Sequence, residues 1–212
     1  MLEAFDTFNS LNMDNGFAKY VHFESRKPQG SEHFYGLLHA IKNNLFITFT
    51  YHKFWHDRPS ARNVAPYALK EFKGRWYVIA KDEKDQRIKS FGLDRIQDLE
   101  ITKKNFMPDN FDTAELFKNS FGIINPVGAK AQEIILSFEP EQGKYVKSFP
   151  LHASQKILKD NKKELHISIA VQITYDLIME ILSYGYRVEV LSPDSLKLDL
   201  VNHYKKALKY YS

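Results

Sequence analysis

Residues 63–81, NVAPYALKEFKGRWYVIAK, decide the fold of the N-terminal half of this chain. Runs rich in β-branched and aromatic residues lie on both sides of Lys73-Gly74, and such runs around a glycine-containing turn are typical of neighbouring strands. The stretch therefore predicts two short strands, Asn63–Leu69 and Arg75–Lys81, joined by a turn.

The segments around these two strands predict a small β domain preceded by one helix. The helix is predicted to begin at Ser31, because apolar residues recur at helical spacing up to Ile41. The further strands predicted in this half are the alternating segment 44–51, Arg87–Leu93 and Ile96–Thr102. One helix followed by four or five antiparallel strands within about 70 residues favours a small SH3-like or Sm-like β-barrel.

The C-terminal part predicts a second domain of different topology. Residues 105–130 contain proline and glycine without sustained periodicity, which is typical of a linker. The elements predicted beyond it are strands at Ile134–Phe138, Ser154–Lys159, Leu165–Ile173 and Val188–Val190, helices at 140–148 and 177–184, and a last helix after Pro193. This order favours a ferredoxin-like domain with an added C-terminal helix. We therefore predict an α+β protein with a leader or linker segment (1–30) and two domains, 31–104 and 131–212.

Composition places the chain among folded globular proteins and removes several kinds of chemistry. It is 43% hydrophobic and 26% charged, which allows a core to be buried. There is no cysteine, so disulfides, thiolate nucleophiles and cysteine-ligated metals are excluded. No run is long and apolar enough to span a bilayer, and no signal peptide is recognisable. We expect a cytoplasmic protein without a membrane partner.

Positive charge is concentrated in the middle of the chain. The whole chain carries a net charge of +4, and residues 51–104 alone hold 13 basic and 8 acidic side chains. Solubility would not require such clustering. A local excess of this kind indicates a cationic face that binds phosphates or nucleic acid.

Several motifs resemble a known family, the WYL domain. The segments that carry the resemblance are Pro66-Tyr67-Ala68-Leu69, Trp76-Tyr77-Val78-Ile79-Ala80 and Ser90-Phe91-Gly92-Leu93-Asp94-Arg95-Ile96. The C-terminal half resembles the extension that often follows WYL domains, through residues 150–155 and 181–193. Together the resemblance covers about residues 31–212.

The resemblance implies the sensory part of a bacterial transcription regulator, which is not an enzyme. It implies an anionic ligand, such as a nucleotide, an oligonucleotide or single-stranded nucleic acid, and a C-terminal domain that forms a homodimer. DNA would be read by a winged helix-turn-helix, for which residues 1–30 are too short. Lys89 and Gly92 stand where many members have arginine, so the bidentate grip on phosphate would be weaker here.

The resemblance also implies a basic groove on the barrel. Its candidate ligand-binding residues are Tyr51, Lys53, Arg62, Trp76, Tyr77, Lys89 and Arg95. Arginine and lysine donate charge-assisted hydrogen bonds to phosphate, and an aromatic face offers a stacking surface. Because side chains alternate along a strand, Trp76 and Tyr77 must face opposite sides, so one of them belongs to the core. Arg95 has an alternative role, an ion pair with Asp94.

Catalysis and metal binding receive little support from the sequence. His52 and His56 have a metal-ligand spacing, but they lie in an irregular segment without an obvious third ligand. No nucleophile elbow, phosphate-binding loop or zinc-peptidase motif is present. We expect no catalytic residue, no metal and no cofactor. The alternatives left open are a protein that binds single-stranded nucleic acid directly and, less favoured, a hydrolase or nuclease.

Overall fold

The computed structural model describes residue 26 and residues 28–55, 58–110 and 112–211. Over these ranges the chain forms two antiparallel sheets with helices packed beside them, consistent with the predicted α+β class. The leader predicted over residues 1–30 lies almost wholly outside the described residues. Among the described helices, none has the length and apolarity needed to cross a membrane.

The first sheet contains five strands in the order β4-β3-β2-β1-β5. Its elements are helix α1 (Phe34–Lys42) and strands β1 (Leu45–Tyr51), β2 (Ser60–Phe72), β3 (Arg75–Asp82), β4 (Arg87–Gly92) and β5 (Ile96–Asn105). Helix α1 buries Leu37 and Ala40 against the sheet, as its apolar spacing predicts. The strands predicted for this half are present, and β2 is longer at both ends than its prediction.

A two-residue turn joins β2 to β3. Phe72 pairs with Arg75, and the intervening Lys73 and Gly74 have φ angles of 50° and 76°. Two positive φ angles define a type I′ turn, which matches the twist of a hairpin and favours asparagine or glycine. A lysine in this left-handed conformation costs about 1 kcal/mol. The turn places Lys73 and Arg75 at the tip of the hairpin.

The two faces of β3 contribute to different cores. Val78 and Ala80 pack with Leu37 and other residues on the inner side of the first sheet. Tyr77 and Ile79 lie on the opposite face, where they pack against Phe117 and Ile123 of the segment that connects the two sheets. The connection therefore covers the outer face of β3.

The second sheet has the strand order β7-β8-β6-β9. Its strands are β6 (Gln132–Phe138), β7 (Lys156–Asp160), β8 (Leu165–Val171) and β9 (Val188–Ser192); helix α2 (Thr113–Phe117) lies in the connection, and helices α3 (Pro140–Ser148), α4 (Tyr175–Ser183) and α5 (Asp194–Leu208) follow. Strand β8 buries every second residue, as its alternation predicts. Helices α4 and α5 add Leu177 and Leu196 to this core.

The connection is tied to both sheets by specific contacts. A carboxylate oxygen of Asp176, in the first turn of α4, accepts hydrogen bonds from the backbone N–H groups of Ile123 and Ile124 at 2.9 Å each. Gly122 has a φ of 90°, and a Cβ there would lie 2.6 Å from the same carboxylate oxygen. Phe121 belongs to the second core and meets Phe72 of β2 edge to face. Residues 121–124 therefore fix how the two sheets meet.

Candidate ligand-binding site

Arg95 is held between two aromatic rings at the end of β4. It lies in a 3-10 turn, Leu93–Arg95, that leads from β4 to β5. Its guanidinium carbon lies 5.5 Å from the ring centre of Tyr51 and 5.2 Å from that of Phe54, within cation–π range. The side chain remains 22% exposed. Arg95 is thus an oriented cation that a ligand can still reach.

Gly92 and Tyr51 make this placement of Arg95 possible. A Cβ at position 92 would lie 2.4 Å from the Nη2 atom of Arg95, so any larger residue would displace the guanidinium. The N–H group of Gly92 donates to the hydroxyl oxygen of Tyr51 at 3.2 Å. Burial raises the pKa of Tyr51, an effect that the charge of Arg95 partly offsets. Tyr51 is therefore a buried, neutral support of Arg95.

Asp94 joins two arginines into what we call the Asp94 cluster, formed by Arg75, Asp94 and Arg95. The Nη1 group of Arg75 donates to one carboxylate oxygen of Asp94 at 2.8 Å, and the Nε group of Arg95 donates to the other at 3.4 Å. Arg75 is 58% exposed, whereas Asp94 is 12% exposed. The cluster presents two guanidinium groups outward and one carboxylate inward.

Two other predicted site residues, Arg62 and Lys89, meet at a second carboxylate. Their charged groups lie 2.9 Å and 2.7 Å from the same oxygen of Asp82, which is 1% exposed, and Lys89 also contacts Asp85 at 2.7 Å. We call these four residues the Asp82 cluster. Burial alone would raise the pKa of Asp82, but the hydrogen bond from Lys89, the backbone N–H of Lys84 and the charge of Arg62 together lower it. Both cations are therefore engaged internally.

Trp76 and Tyr77 face opposite sides of β3, which confirms that part of the prediction. Trp76 packs against the inner core, and its ring meets Phe34 edge to face at 4.8 Å. Tyr77 is buried against the connection, and burial raises its pKa. The two rings therefore border different spaces.

Three clefts surround these residues. The hairpin cleft, about 480 Å³, is lined by Arg26, Pro28, Gln29, Phe54, Lys73, Gly74, Arg75, Trp76 and Asp94. The junction cleft, about 350 Å³, is lined by Phe54, Phe72, Lys73, Arg75, Tyr77, Arg95, Tyr175, Asp176 and Met179. The linker cleft, about 890 Å³, is lined by 16 residues that include Tyr77, Lys89, Arg95, Ile123 and Gln172. The first two clefts share Phe54, Lys73 and Arg75.

The seven predicted residues therefore separate into groups. Tyr77 and Arg95 line both the junction and linker clefts, Lys89 lines the linker cleft and Trp76 lines the hairpin cleft. Tyr51 supports Arg95 from inside the core, and Arg62 lies in the Asp82 cluster. Lys53 is exposed on the loop after β1 and is not among the lining residues of these clefts.

Sequence reasoning missed three residues of this surface: Phe54, Lys73 and Arg75. Phe54 lies in the irregular segment after β1, where no periodicity indicates which way a side chain points. Lys73 lies in the predicted turn and Arg75 directly follows it. Their charges were a usable signal, because turn residues lie on the surface, where long cationic side chains extend into solvent. A second signal was their position in the sequence close to Trp76, which was already a candidate residue.

Metal binding receives no support from the described part of the chain, where no group of three or more histidine, aspartate or glutamate residues could hold a metal ion. His52 is partly buried after β1, and its backbone N–H donates to the carbonyl of Arg95 at 3.0 Å. His56, the other member of the pair noted in the sequence, lies outside the described residues.

The chain matches two protein families, and the solved structures that match it include the two described below. Residues 32–101 match the WYL domain and residues 130–208 match the WCX domain. A structure described as proteasome accessory factor B/C (PafBC) of Arthrobacter aurescens is 19% identical with a TM-score of 0.37, and the match covers 91% of this chain and 29% of that one. A structure described as a CRISPR Cas-related protein is 13% identical with a TM-score of 0.54, and the match covers 86% and 52%.

Both structural matches cover only part of the solved chain. The chain spans less than two thirds of the length of either solved structure, and at these identities the second likeness indicates a shared fold and nothing more. None of the curated proteins compared with the chain matches it.

Proposed function

Since this chain is a WYL-domain protein whose WYL domain is followed by a WCX domain, as its motifs predicted, we propose that it is the ligand-sensing module of a transcription regulator. An anionic ligand, nucleotide-like or a nucleic acid, binds the basic clefts of the WYL domain. The module is not an enzyme, and it passes the signal to a DNA-binding domain. Residues 31–104 and 131–212 act as its two domains, joined by the linker 105–130.

The observation that carries this proposal is the composition of the junction cleft. Its walls come from both domains: Arg95, Arg75 and Lys73 from the first, and Tyr175 and Met179 from the second. A ligand can shift a conformational equilibrium only if it binds the two states with different affinity. A ligand in this cleft would contact both domains, so its affinity would depend on how they are arranged.

The chemistry of the clefts favours an anion with an aromatic part. Three cations and one carboxylate line the junction cleft, and the carboxylate, Asp176, already accepts two backbone hydrogen bonds. The cations pair with Asp94 and Glu180 but keep 22–58% of their side chains exposed. Guanidinium groups bind phosphate bidentately, and exposed rings such as Phe54 stack on bases for about 1–3 kcal/mol each. Nucleotides and single-stranded nucleic acid combine both features.

We propose an Sm-like barrel for the first domain and a ferredoxin-like fold for the second. One helix followed by five antiparallel strands in one sheet supports the former assignment. In the second sheet, the order β7-β8-β6-β9 with helices after β6 and β8 supports the latter. Helix α5 is then the added C-terminal helix.

The proposed assembly is a cytoplasmic homodimer formed through the second domain. Helix α5 buries Leu196 and Leu200 but exposes Leu198, Val201 and Leu208 on another side. Exposed apolar residues at helical spacing are typical of a surface that pairs with another chain. Light scattering should give twice the monomer mass for the wild type and the mass of a single monomer for Leu198→Glu.

The ligand proposal is tested by a thermal-shift screen of the intact chain against nucleotides, cyclic dinucleotides and short single-stranded DNA or RNA. We expect at least one anion to stabilise the protein and Arg95→Ala to remove most of that effect. Lys103→Ala is the matched control, because Lys103 is an exposed cation on β5 outside the lining of the described clefts. Equal losses in the two variants would contradict the assignment of the site.

Direct binding of single-stranded nucleic acid without sensing is the second candidate. The exposed ring of Phe54, which lines the hairpin cleft, and that of Trp55, the next residue, favour it, since successive bases can stack on such rings. The two functions differ in the complete regulator. A sensor changes the affinity of the DNA-binding domain for its operator when ligand is added, whereas a simple binder leaves that affinity unchanged.

A further inference from the structure

Lys73 is the cation that joins the two clefts, and it is already bound to the second domain. Its side chain lines both the hairpin and junction clefts and is 51% exposed. Its Nζ atom lies 2.6 Å from the Oε2 atom of Glu180 on helix α4. The lysine also occupies a left-handed turn position, with φ of 50°, that asparagine or glycine would occupy at lower cost. Backbone strain of this kind is typical of positions where the side chain has a function.

Glu180 is fixed where it meets this lysine. Its other carboxylate oxygen accepts a hydrogen bond from the hydroxyl of Tyr184 at 2.8 Å, and its side chain is only 16% exposed. Burial, together with this bond to Glu180, raises the pKa of Tyr184 well above its ordinary range, so the hydroxyl remains a donor. The carboxylate of Glu180, a residue of α4, is therefore fixed in its contact with Lys73 at the tip of the hairpin.

We propose that Glu180 is an internal competitor of the ligand. The carboxylate of Glu180 forms an ion pair with the ammonium group of Lys73, which an anionic ligand in the junction cleft would otherwise bind. The ligand and Glu180 are therefore alternative partners of Lys73. This inference rests on the proposed function and adds a regulatory contact to the same site. Binding replaces an ion pair within the protein by one with the ligand, and the net gain in affinity is reduced accordingly.

The exchange has a consequence for the arrangement of the domains. The Lys73–Glu180 pair links the WYL hairpin to α4, and the first turn of the same helix holds the connection through Asp176. When the ligand binds the ammonium group of Lys73, the hairpin loses its ion pair with α4, while the contacts of Asp176 with the connection remain. Ligand binding therefore loosens one side of the junction and leaves the other side in place.

The test compares Glu180→Gln with Glu133→Gln in the full chain, using fluorescein-labelled oligothymidine as the probe and anisotropy at low salt as the readout. Glutamine keeps an acceptor for the Tyr184 hydroxyl but cannot form the ion pair. Glu133 is an exposed residue of β6, so its variant changes the net charge equally without touching the clefts. Because the Lys73–Glu180 pair is partly exposed, we expect Glu180→Gln to bind about two- to five-fold more tightly than Glu133→Gln, which corresponds to about 0.4–1 kcal/mol.

A second background makes the result specific to Lys73. In Lys73→Ala, the advantage of Glu180→Gln over Glu133→Gln should disappear, because the ammonium for which Glu180 competes is absent. If Glu180→Gln and Glu133→Gln bind equally while the wild type binds the probe, the competitor role is wrong and the proposed function stands. If the wild type and both glutamine variants fail to bind oligothymidine, the proposed function is wrong for single strands and the inference falls with it.

Discussion

Asp82 and Asp94 lie near opposite ends of strand β3, and each carboxylate contacts two cationic side chains. Asp82 is 1% exposed and binds Arg62 and Lys89, which are 13% and 30% exposed. Asp94 is 12% exposed, and its partner Arg75 extends into solvent beside two clefts. The two clusters have similar composition but differ in how much of the cationic surface remains accessible. The exposure of Arg75 therefore distinguishes the Asp94 cluster, which borders the hairpin and junction clefts, from the more buried Asp82 cluster.

The largest effect that this comparison predicts is on stability. Asp82→Ala leaves Arg62 and Lys89 without their shared carboxylate in a buried setting, and breaking such a pair costs about 3 kcal/mol or more. Asp94→Ala should cost about 1 kcal/mol or less, because the exposed Arg75 is rehydrated. Urea unfolding followed by circular dichroism measures both. Equal losses would show that the two clusters do not differ as described.

The pH dependence of stability tests the Asp82 cluster. The pKa of Asp82 is lowered in the folded protein, so its contribution is fully present above its unfolded pKa of about 3.9. That contribution is lost as the pH falls through the lower, folded value. The stability advantage of the wild type over Asp82→Asn should therefore be constant between pH 5 and 7, a range of about two units, and shrink below about pH 4. An advantage that persists unchanged in acid would contradict the role assigned to this carboxylate.

Sequence alone predicted most elements of the fold, because the alternation of apolar and polar residues that indicates a strand is a local pattern. The β8 alternation and the Lys73-Gly74 turn each lie within a few consecutive residues, which is where periodicity is informative. Of the two clusters, only the pair Asp94–Arg95, whose members are neighbours in sequence, was predicted in this way, as the alternative role of Arg95. Arg62 and Lys89 meet because β2, β3 and β4 pair in a particular register, and sequence patterns do not reveal which cations share a carboxylate.

The site was predictable in part for the same reason. The segments that resemble the WYL domain contain Tyr77 and Arg95, and both residues line the junction cleft. The partner of Lys73 is Glu180, which belongs to the other domain and lies far away in sequence. Contacts between domains depend on how two folded units pack, and no local pattern encodes them.

A smaller effect should follow from Gly92→Ala, which leaves every charge of the Asp94 cluster in place. The added methyl group would lie 2.4 Å from the Nη2 atom of Arg95 and 2.5 Å from the Oδ1 atom of Asp94, so these side chains must shift. A misplaced hydrogen bond costs about 1–1.4 kcal/mol, so we expect binding of oligothymidine to weaken about five- to tenfold. Fluorescence anisotropy measures the change.

The control for this prediction is Gly36→Ala. Like Gly92, Gly36 does not have a positive φ, and within 4 Å a Cβ at position 36 would meet only the Cδ1 atom of Ile101, at 3.4 Å. A variant that adds the same methyl group without a contact to Arg95 or Asp94 isolates the position of these two side chains. Unchanged binding by Gly92→Ala would show that the orientation of Arg95 does not matter for the ligand.

The smallest effect on binding is expected for Lys89→Ala, although Lys89 was one of the seven residues that sequence reasoning assigned to the site. Its ammonium contacts Asp82 and Asp85 at 2.7 Å each, so it offers little charge to a ligand in the linker cleft. Anisotropy should give an affinity within about twofold of the wild type, since only a long-range electrostatic contribution is lost. Unfolding should show a loss of about 1 kcal/mol, because the lysine is partly exposed. A loss of affinity equal to that of Arg95→Ala would mean that accessibility does not separate the two clusters, and that the Asp82 cluster also binds the ligand.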